Sequence, residues 1–291
     1  MKFLVTGSAG LVGSQVVKDL TKQDHTVYSC YYDEKPFHGT PLQLDLTDQD
    51  KIIQTLQETK PDRIIHLGAM TNVEQCETEK KLATQINAKA TETIAKQASK
   101  QDTFLVYVST DYVFDGIHGM KKEDDSSNPL GFYGKSKLEG ELALNKLASS
   151  WCIARTSTPF GFHKTKKSFP IWIKENLESK KEIPILVDQF TSPTYVPNLS
   201  KMLIEVATRQ ITGIIHTAGA SRISRYNLAE MIAEKLNLDK KFLRPTIIKD
   251  MNWKAQRPKD SSLDVSLAAE LLDEKPQSIE NSIDSFLNSL K

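Results

Sequence analysis

Cysteine is scarce in this sequence, and its scarcity excludes several kinds of site. Three cysteines occur in 291 residues, and no two of them form a Cys-x-x-Cys pair: Cys30, Cys76 and Cys152. This usage argues against a zinc framework and a disulfide framework, and it is typical of a reducing compartment. No metal-ligand spacing joins His66, His118 or His216 to one another, to cysteine or to carboxylates, so we expect no metal site.

Long apolar runs and an excess of one charge are also absent. No run approaches the ~18 apolar residues that a membrane-spanning helix needs. Lysine and arginine number 38 against 37 aspartates and glutamates, so nucleic acid is not the expected partner. Met1 and Lys2 lead directly into an apolar strand pattern, which leaves no room for a signal peptide. We therefore expect a cytoplasmic protein that binds neither membranes nor nucleic acid.

The sequence does contain a regular alternation of strand and helix patterns. Six apolar segments of strand length come first: KFLVTG, HTVYSCYY, PLQLDL, DRIIHLGA, FLVYVST and WCIARTS. Between them apolar residues recur at helical spacing, as in 82–98, and Thr47 followed by Asp50 indicates a helix N-cap with its capping partner. Strands that are apolar throughout are typical of a parallel sheet covered on both faces. The predicted fold class is α/β, with a doubly wound parallel sheet.

The pattern changes about halfway along the chain, where proline-containing loops begin. Helix patterns follow near 168–179 and 198–208, and we expect a strand near 213–217 to return to the sheet. The remaining residues are helical and punctuated by proline, which is typical of a smaller domain beside the carboxyl edge of the sheet. We therefore predict two domains, over 1–158 and 159–291.

Three glycines follow the first strand and open the first helix. In TGSAGLVG, Gly7, Gly10 and Gly13 allow the loop to turn tightly and to approach a phosphate. Leu11 and Val12 begin the helix, whose free N–H groups and positive dipole end favour an anion. A P-loop is excluded because no Gly-Lys-Ser/Thr ends the segment. The ligand that this loop implies is a pyrophosphate.

The Thr-Gly-x-x-Gly-x-x-Gly spacing resembles the fingerprint of the extended short-chain dehydrogenase/reductases. The resemblance implies that residues 1–158 form an NAD(P)-binding Rossmann domain. It also implies that Asp45 and Leu46 contact the adenine and that a segment ending the fourth strand lies beside the cofactor: Leu67, Gly68 and Ala69. The alternative role for Asp45 is a helix-cap carboxylate.

The end of the second strand bears on the choice between NAD(H) and NADP(H). An acidic residue there binds the ribose 2′-hydroxyl and favours NAD. In SCYYDEKP, Cys30 at that position would not repel a 2′-phosphate, whereas Asp33 is an alternative contact for the ribose. The sequence leaves NAD(H) and NADP(H) as alternative cofactors, with a slight preference for NADP(H).

A tyrosine and a lysine lie four residues apart on a predicted helix, GFYGKSKLEGELAL. Tyr133 and Lys137 project from one helix face, where a neighbouring ammonium favours the phenolate and lowers the pKa of the phenol. Downstream of a glycine-loop unit, this pair predicts a tuned catalytic proton donor. A hydroxyl ending the fifth strand would hydrogen-bond a carbonyl oxygen. We assign this role to Thr110, with Ser109 as the competitor because strand alternation aims only one of them into the site.

Four further segments narrow the resemblance. They are STDYVFDG at 109–116, YGKSKLEGE at 133–141, DQFTSPT at 188–194 and RPKDSSLD at 257–264. From residue 3 to about residue 267, the sequence resembles the dTDP-4-dehydrorhamnose reductase family. The family implies reduction of the C4 ketone of dTDP-4-dehydro-L-rhamnose by NAD(P)H. It gives Tyr133 the role of proton donor, Lys137 that of holding the nicotinamide ribose, and Thr110 that of polarising the ketone.

The same resemblance makes 159–291 mainly a substrate-binding domain and implies four substrate contacts. Asp111 and Tyr112 are expected to line the sugar pocket, and Gln189 and Arg257 lie in the later motifs. Arg257 is suited to bind the substrate diphosphate as a fork of donors, with a salt bridge between domains as its alternative role.

Two departures from the family pattern concern the sugar site. Thr158 stands where the family commonly has a tryptophan, which leaves Phe160 or Phe162 as candidate replacements and leaves more than one sugar as the candidate substrate. The segment HKTKKSF also carries a short basic run, which either attracts an anionic nucleotide sugar or forms a solvated loop.

The resemblance leaves other functions and partners open. A nucleotide-sugar epimerase or dehydratase would retain its cofactor, and a dehydratase would need a carboxylate pair near Thr110. The regulatory β subunit of methionine adenosyltransferase also resembles this family, and it binds a nicotinamide cofactor while acting as a partner protein. The presence of Thr110, Tyr133 and Lys137 together favours catalysis on a nucleotide sugar. Family members often form homodimers, but no stripe in this sequence identifies an interface.

Overall fold

The computed structural model describes residues 1–290, which form thirteen strands. The strands are β1 (Lys2–Thr6), β2 (Thr26–Tyr31), β3 (Thr40–Gln43), β4 (Arg63–His66), β5 (Phe104–Thr110), β6 (Trp151–Thr156), β7 (Pro159–Phe160), β8 (Ile183–Leu186), β9 (Phe190–Thr191), β10 (Thr194–Tyr195), β11 (Gly213–His216), β12 (Ile223–Ser224) and β13 (Leu243–Thr246). Seven of them build one parallel sheet in the order β11-β6-β5-β4-β1-β2-β3. The chain reverses direction across the sheet between β1 and β4, where open α/β sheets bind ligands beyond the carboxyl ends of the strands.

Helices cover both faces of this sheet. They are α1 (Leu11–Lys22), α2 (Gln49–Thr59), α3 (Val73–Thr78), α4 (Lys80–Thr84), α5 (Ala90–Lys100), α6 (Phe132–Leu147), α7 (Phe169–Glu178), α8 (Val196–Arg209), α9 (Arg225–Lys235), α10 (Ser266–Leu271) and α11 (Ile279–Asn288). A π-helical turn over Gln85–Lys89 joins α4 to α5. No helix among residues 1–290 is long and apolar enough to cross a bilayer.

Alternate residues of the strands fill two apolar layers. In β1, Phe3 and Val5 pack with residues of α1 and α8, whereas Leu4 packs with residues of α2 and α5. Side chains of a strand point alternately to opposite faces, so a sheet covered on both sides needs apolar residues throughout. This explains the uninterrupted apolar strand segments of the first half.

A third apolar cluster lies outside the central sheet. It joins α7, α9 and α11 to the small parallel pair of β8 and β13, with Phe286 among its largest fully buried side chains. The domain boundary after residue 158 stays a prediction.

Most predicted elements are confirmed, with two local differences. The strand near 213–217 is β11, which pairs with β6 at the edge of the sheet. The stretch 82–98 is interrupted by the π-helical turn and is not one α-helix. The predicted N-cap Thr47 is wrong: Asp48 caps α2 by accepting from the Lys51 N–H at 2.9 Å, while the Thr47 hydroxyl donates to Asp45.

Candidate active site

A cavity of about 1010 Å³ opens at the carboxyl ends of β1, β2, β4 and β5. Its size lies at the upper end of the range for ligand sites. All the predicted catalytic and cofactor residues line it: Gly7, Gly10, Leu11, Val12, Gly13, Asp45, Leu46, Leu67, Gly68, Ala69, Thr110, Tyr133 and Lys137. Residues far apart in the sequence therefore form one continuous surface.

The glycine loop approaches neighbouring backbone too closely for side chains. Gly7 has a φ of +65°, and a Cβ on it would lie 2.8 Å from the Gly68 nitrogen. A Cβ on Gly13 would lie 2.1 Å from the Gly7 carbonyl oxygen. Gly10 is the N-cap of α1 and provides no side-chain cap, so the start of the helix is open to an anion. This cradle fits the pyrophosphate of a dinucleotide.

Thr6 connects the glycine loop to the end of β4. Its hydroxyl accepts from the N–H groups of Leu67 at 3.1 Å and Gly68 at 2.9 Å, and it lies 2.6 Å from Nδ1 of His66. Burial lowers the pKa of His66 to about 3, so the imidazole is neutral and serves this buried network. The network holds the segment of Leu67 and Gly68 against the loop.

Asp45 and Leu46 lie beside this segment. The Asp45 carboxylate accepts from the backbone N–H and the hydroxyl of Thr47, both at 2.8 Å, and Asp48 is the residue that caps α2. The helix-cap alternative for Asp45 is therefore wrong. Leu46 packs so closely on Gly68 that a Cβ there would lie 2.7 Å from the Leu46 side chain.

The end of β2 supplies another part of the cavity wall. Burial raises the pKa of the Cys30 thiol to about 12, so the thiol is uncharged at neutral pH. Asp33 and Glu34 line the cavity beyond it, and Lys166 lines it from the loop before α7. Thr165 in that loop donates to Glu34, so the basic segment lies near the end of β2.

Tyr133 and Lys137 lie at the start of α6, both inside the site. The Lys137 ammonium donates to the Val108 carbonyl at 2.8 Å and stands 4.0 Å from the centroid of the Tyr107 ring. Burial lowers the pKa of Lys137 to about 7. Burial also raises the pKa of Tyr133, and its interaction with the Thr110 hydroxyl opposes this increase. The expectation that Lys137 lowers the pKa of Tyr133 below its usual value is wrong here, because desolvation dominates.

Thr110 and Ser109 both line the cavity but have different hydrogen bonds. The Thr110 hydroxyl donates to Asp111 Oδ1 at 2.9 Å and accepts from the Tyr112 N–H at 3.2 Å. The Ser109 hydroxyl is buried without a hydrogen-bond partner among residues 1–290. Thr110 is the one whose hydroxyl interacts with Tyr133.

Asp111 is buried and already satisfied within the protein. Besides Thr110, its carboxylate accepts from Ser157 at 2.8 Å and from Ser261 at 2.6 Å. Ser157 and Ser261 come from two distant segments, so Asp111 connects the end of β5 to the loops after β6 and before α10. Tyr112 follows and packs edge-on against Tyr133, with ring centroids 5.8 Å apart.

Gln189 and Arg257 do not line the cavity. Gln189 is buried and interacts with Tyr112, while its amide lies 3.5 Å from the Pro258 carbonyl oxygen. The Arg257 guanidinium donates to Glu74 at 2.7 Å and lies over the ring of Trp253. This is the salt bridge that the sequence left as the alternative role for Arg257.

Among the lining residues that the motifs did not indicate is an arginine, Arg225. Arg225 lines the cavity near Tyr112, and its guanidinium donates to the Thr158 hydroxyl at 3.3 Å. Thr158 has a φ of +44°, an uncommon conformation for a residue other than glycine. Arg225 directly follows the N-cap Ser224, but no sequence signal distinguishes it from an ordinary surface arginine.

Phe160 and Phe162, the two candidate replacements for the family's tryptophan, do not line the cavity. Phe160 is buried against Tyr195 and Phe286, and Phe162 is 65% exposed. At this point the cavity wall carries the polar pair of Thr158 and Arg225. The two adjacent lysines of the basic segment have different surroundings. Lys166 lines the cavity, whereas Lys167 forms an ion pair with Glu175.

The buried Asn87 connects the segment after β4 to α6, which carries Tyr133 and Lys137. Its side chain accepts from the Met70 N–H at 2.8 Å and donates to the Ser136 hydroxyl at 2.9 Å. Its backbone carbonyl accepts from the Tyr107 hydroxyl at 3.2 Å and from the Thr91 hydroxyl at 2.8 Å. The π-helical turn therefore contacts the ring over which the Lys137 ammonium lies.

Curated relatives share most of this chain. It is 32% identical over 271 residues to the "Probable low-salt glycan biosynthesis reductase Agl14" of Haloferax volcanii, covering 91% of the chain and 90% of the relative. It is 31% identical to methionine adenosyltransferase 2 subunit beta of Danio rerio, covering 91% and 83%. It is also 31% identical to dTDP-4-dehydrorhamnose reductase of Aggregatibacter actinomycetemcomitans, covering 91% of each.

Solved structures share the whole fold. A dTDP-4-dehydrorhamnose reductase from Bacillus anthracis in complex with NADP superposes with a TM-score of 0.88 at 28% identity, covering 99% of both chains. A hypothetical dTDP-4-dehydrorhamnose reductase from Sulfolobus tokodaii has a TM-score of 0.88 at 36% identity, covering 98% of both. The model of the RmlD substrate binding domain family matches residues 1–291. The chain therefore belongs to this family, the dTDP-4-dehydrorhamnose reductase family of extended short-chain dehydrogenase/reductases, and with it to the NAD(P)H-dependent oxidoreductases.

Proposed function

We propose that the protein uses NAD(P)H to reduce the C4 ketone of a nucleotide-linked 4-keto-6-deoxy sugar, with dTDP-4-dehydro-L-rhamnose as the substrate. One observation supports this most strongly: Thr110, Tyr133 and Lys137 line the same cavity as the glycine cradle. A proton donor, a second hydroxyl and a cation are thus arranged beside a dinucleotide site. In this proposal residues 1–158 bind the cofactor, and 159–291 mainly bind the substrate.

The cofactor, when bound, supplies the hydride, and the protein side chains handle the proton and the charge. Burial keeps the Tyr133 phenol protonated at neutral pH, so it can donate to the carbonyl oxygen as negative charge develops there. The neighbouring Thr110 hydroxyl can stabilise the same oxygen once it turns from Asp111. Lys137 provides the donor that holds the nicotinamide ribose.

The preferred cofactor in this proposal is NADP(H). The uncharged Cys30 at the end of β2 does not repel a 2′-phosphate, and Lys166 provides a cation on the cavity wall. The Bacillus anthracis neighbour was solved with NADP. Asp33 and Glu34 also line the cavity and favour NAD, so the preference depends on how these charges balance.

A second candidate function is suggested by the relatives named methionine adenosyltransferase 2 subunit beta. Thr158 and Arg225 alter the surface where the family commonly has an aromatic residue, and this is compatible with a lost sugar activity. In that case the protein would bind the cofactor, leave keto sugars unchanged and act as a partner of an enzyme.

The test is to mix the purified protein with dTDP-4-dehydro-L-rhamnose and either NADPH or NADH, and to follow the loss of reduced-nicotinamide absorbance. We expect turnover that Tyr133→Phe abolishes while NADPH affinity stays within about twofold, because the substitution removes only the donated proton. Normal turnover by Tyr133→Phe would contradict the assignment. A new sugar without net cofactor consumption would indicate an epimerase or dehydratase, and cofactor binding without any reaction would favour the regulatory candidate.

A further inference from the structure

Arg225 is anchored by its backbone, with its side chain on the cavity wall. It is the first residue of α9, and its N–H donates to the Gln189 carbonyl at 3.0 Å. Its guanidinium lies beside the ring of Phe169, with 5.3 Å from its central carbon to the ring centroid, and donates to Thr158. The backbone anchor and the ring restrict where this side chain can reach.

No carboxylate among residues 1–290 lies within ion-pair distance of Arg225. By contrast, five other arginines each pair with a carboxylate: Arg155, Arg209, Arg222, Arg244 and Arg257. Asp111 attracts Arg225 electrostatically, but its oxygens already accept from three hydroxyls. Burial disfavours the charge and lowers the pKa of Arg225 below its usual value. The free donors of this guanidinium are therefore available to a ligand.

The lysines of the cavity wall, Lys137 and Lys166, have contacts that differ from those of Arg225. Lys137 donates to Val108 beside the catalytic tyrosine, and Lys166 follows Thr165, which is bound to Glu34 at the end of β2. Arg257, the residue expected to bind a diphosphate, is bound to Glu74. Arg225 lies instead beside Thr158 and Tyr112, in the part of the cavity wall where the proposed function places the sugar nucleotide.

We propose that Arg225 binds the diphosphate of the nucleotide sugar, with Thr158 holding its guanidinium in place. A planar fork of N–H donors matches the oxygens of a phosphate, and such charge-assisted hydrogen bonds gain strength in a partly buried site. This assignment rests on the proposed function, because it requires a nucleotide sugar as the substrate.

The test measures binding of dTDP, UDP and thymidine by calorimetry, with the protein saturated with NADP⁺. We expect Arg225→Gln to weaken dTDP binding by about 10- to 100-fold, as expected for lost hydrogen bonds to a charged group, and to leave NADP⁺ binding unchanged. Arg225→Lys, which keeps the charge but not the fork, should have an intermediate affinity. Unchanged thymidine binding would show that the loss concerns the phosphates.

The controls distinguish this assignment from its competitors. Arg244→Gln removes the same charge from an exposed pair with Glu182 and should leave dTDP affinity unchanged. Equal dTDP affinities in Arg225→Gln and Arg244→Gln would overturn the assignment, as would a loss confined to Arg257→Gln. Loss of affinity for the keto-sugar nucleotide but not for dTDP would also overturn it, because the guanidinium would then bind the sugar. A wild-type protein that binds neither dTDP nor UDP would overturn the proposed function together with it.

Discussion

Replacing Lys137 with methionine should stabilise the protein while abolishing turnover. Lys137 is 2% exposed and has no carboxylate within ion-pair distance among residues 1–290. Burial lowers its pKa from 10.5 to about 7, which corresponds to a cost of about 5 kcal/mol for the charged form at about 1.4 kcal/mol per pH unit. This cost is a net value, because the hydrogen bond to Val108 and the contact with the Tyr107 ring also act on the charged form. Methionine fills a similar volume without charge, so we expect a gain of roughly 1–4 kcal/mol.

The gain should depend on pH in a defined direction. Below pH 7 the ammonium is protonated in both the folded and the unfolded chain, so the full cost of burying it is present. Between about pH 7 and 10.5 the folded protein releases this proton while the unfolded chain retains it, and the stability of the wild type rises with pH. The stability difference between Lys137→Met and the wild type is therefore greatest at about pH 6 and shrinks by about pH 9.

Urea unfolding of both proteins at several pH values measures this difference. Lys135→Met is the matched control, because Lys135 is exposed on the same helix and its replacement should shift stability by less than about 0.5 kcal/mol at any pH. A Lys137→Met variant less stable than the wild type at pH 6, or a difference that does not change with pH, would refute the reasoning. Loss of turnover in the stabilised variant would show that Lys137 is kept for function at the expense of stability.

Two further substitutions test the cofactor cradle and the local structure beside it. Gly13→Ala would place a Cβ 2.1 Å from the Gly7 carbonyl oxygen, so the loop must shift and NADPH affinity should fall at least about tenfold in a fluorescence titration. Ser14→Ala in the same helix is its control, and equal affinities would contradict the cradle. Asp48→Ala removes the N-cap of α2 and should cost about 1 kcal/mol in urea unfolding, whereas Thr47→Ala should cost less. A larger loss at Thr47 would contradict the observed cap.

The sequence by itself determined the order of strands and helices, the glycine cradle and the pair of Tyr133 and Lys137. Each of these depends on spacing within a short segment. Uninterrupted apolar strands follow from burial on both faces of the sheet, glycine positions follow from backbone contact, and a separation of four residues fixes a helix face. The position of Thr110 at the end of β5 was accessible for the same reason, because carboxyl ends of parallel strands meet at one edge.

Only the tertiary structure decided which charges are paired and which are free for a ligand. Arg257 finds Glu74, 183 residues away in sequence, while Arg225 is left facing the cavity. The direction of the Tyr133 pKa shift was also decided there, because desolvation depends on everything packed around the phenol and not on one neighbour four residues away. Charge pairing and burial depend on contacts that many distant segments make together. The spacing of residues within one segment does not predict those contacts.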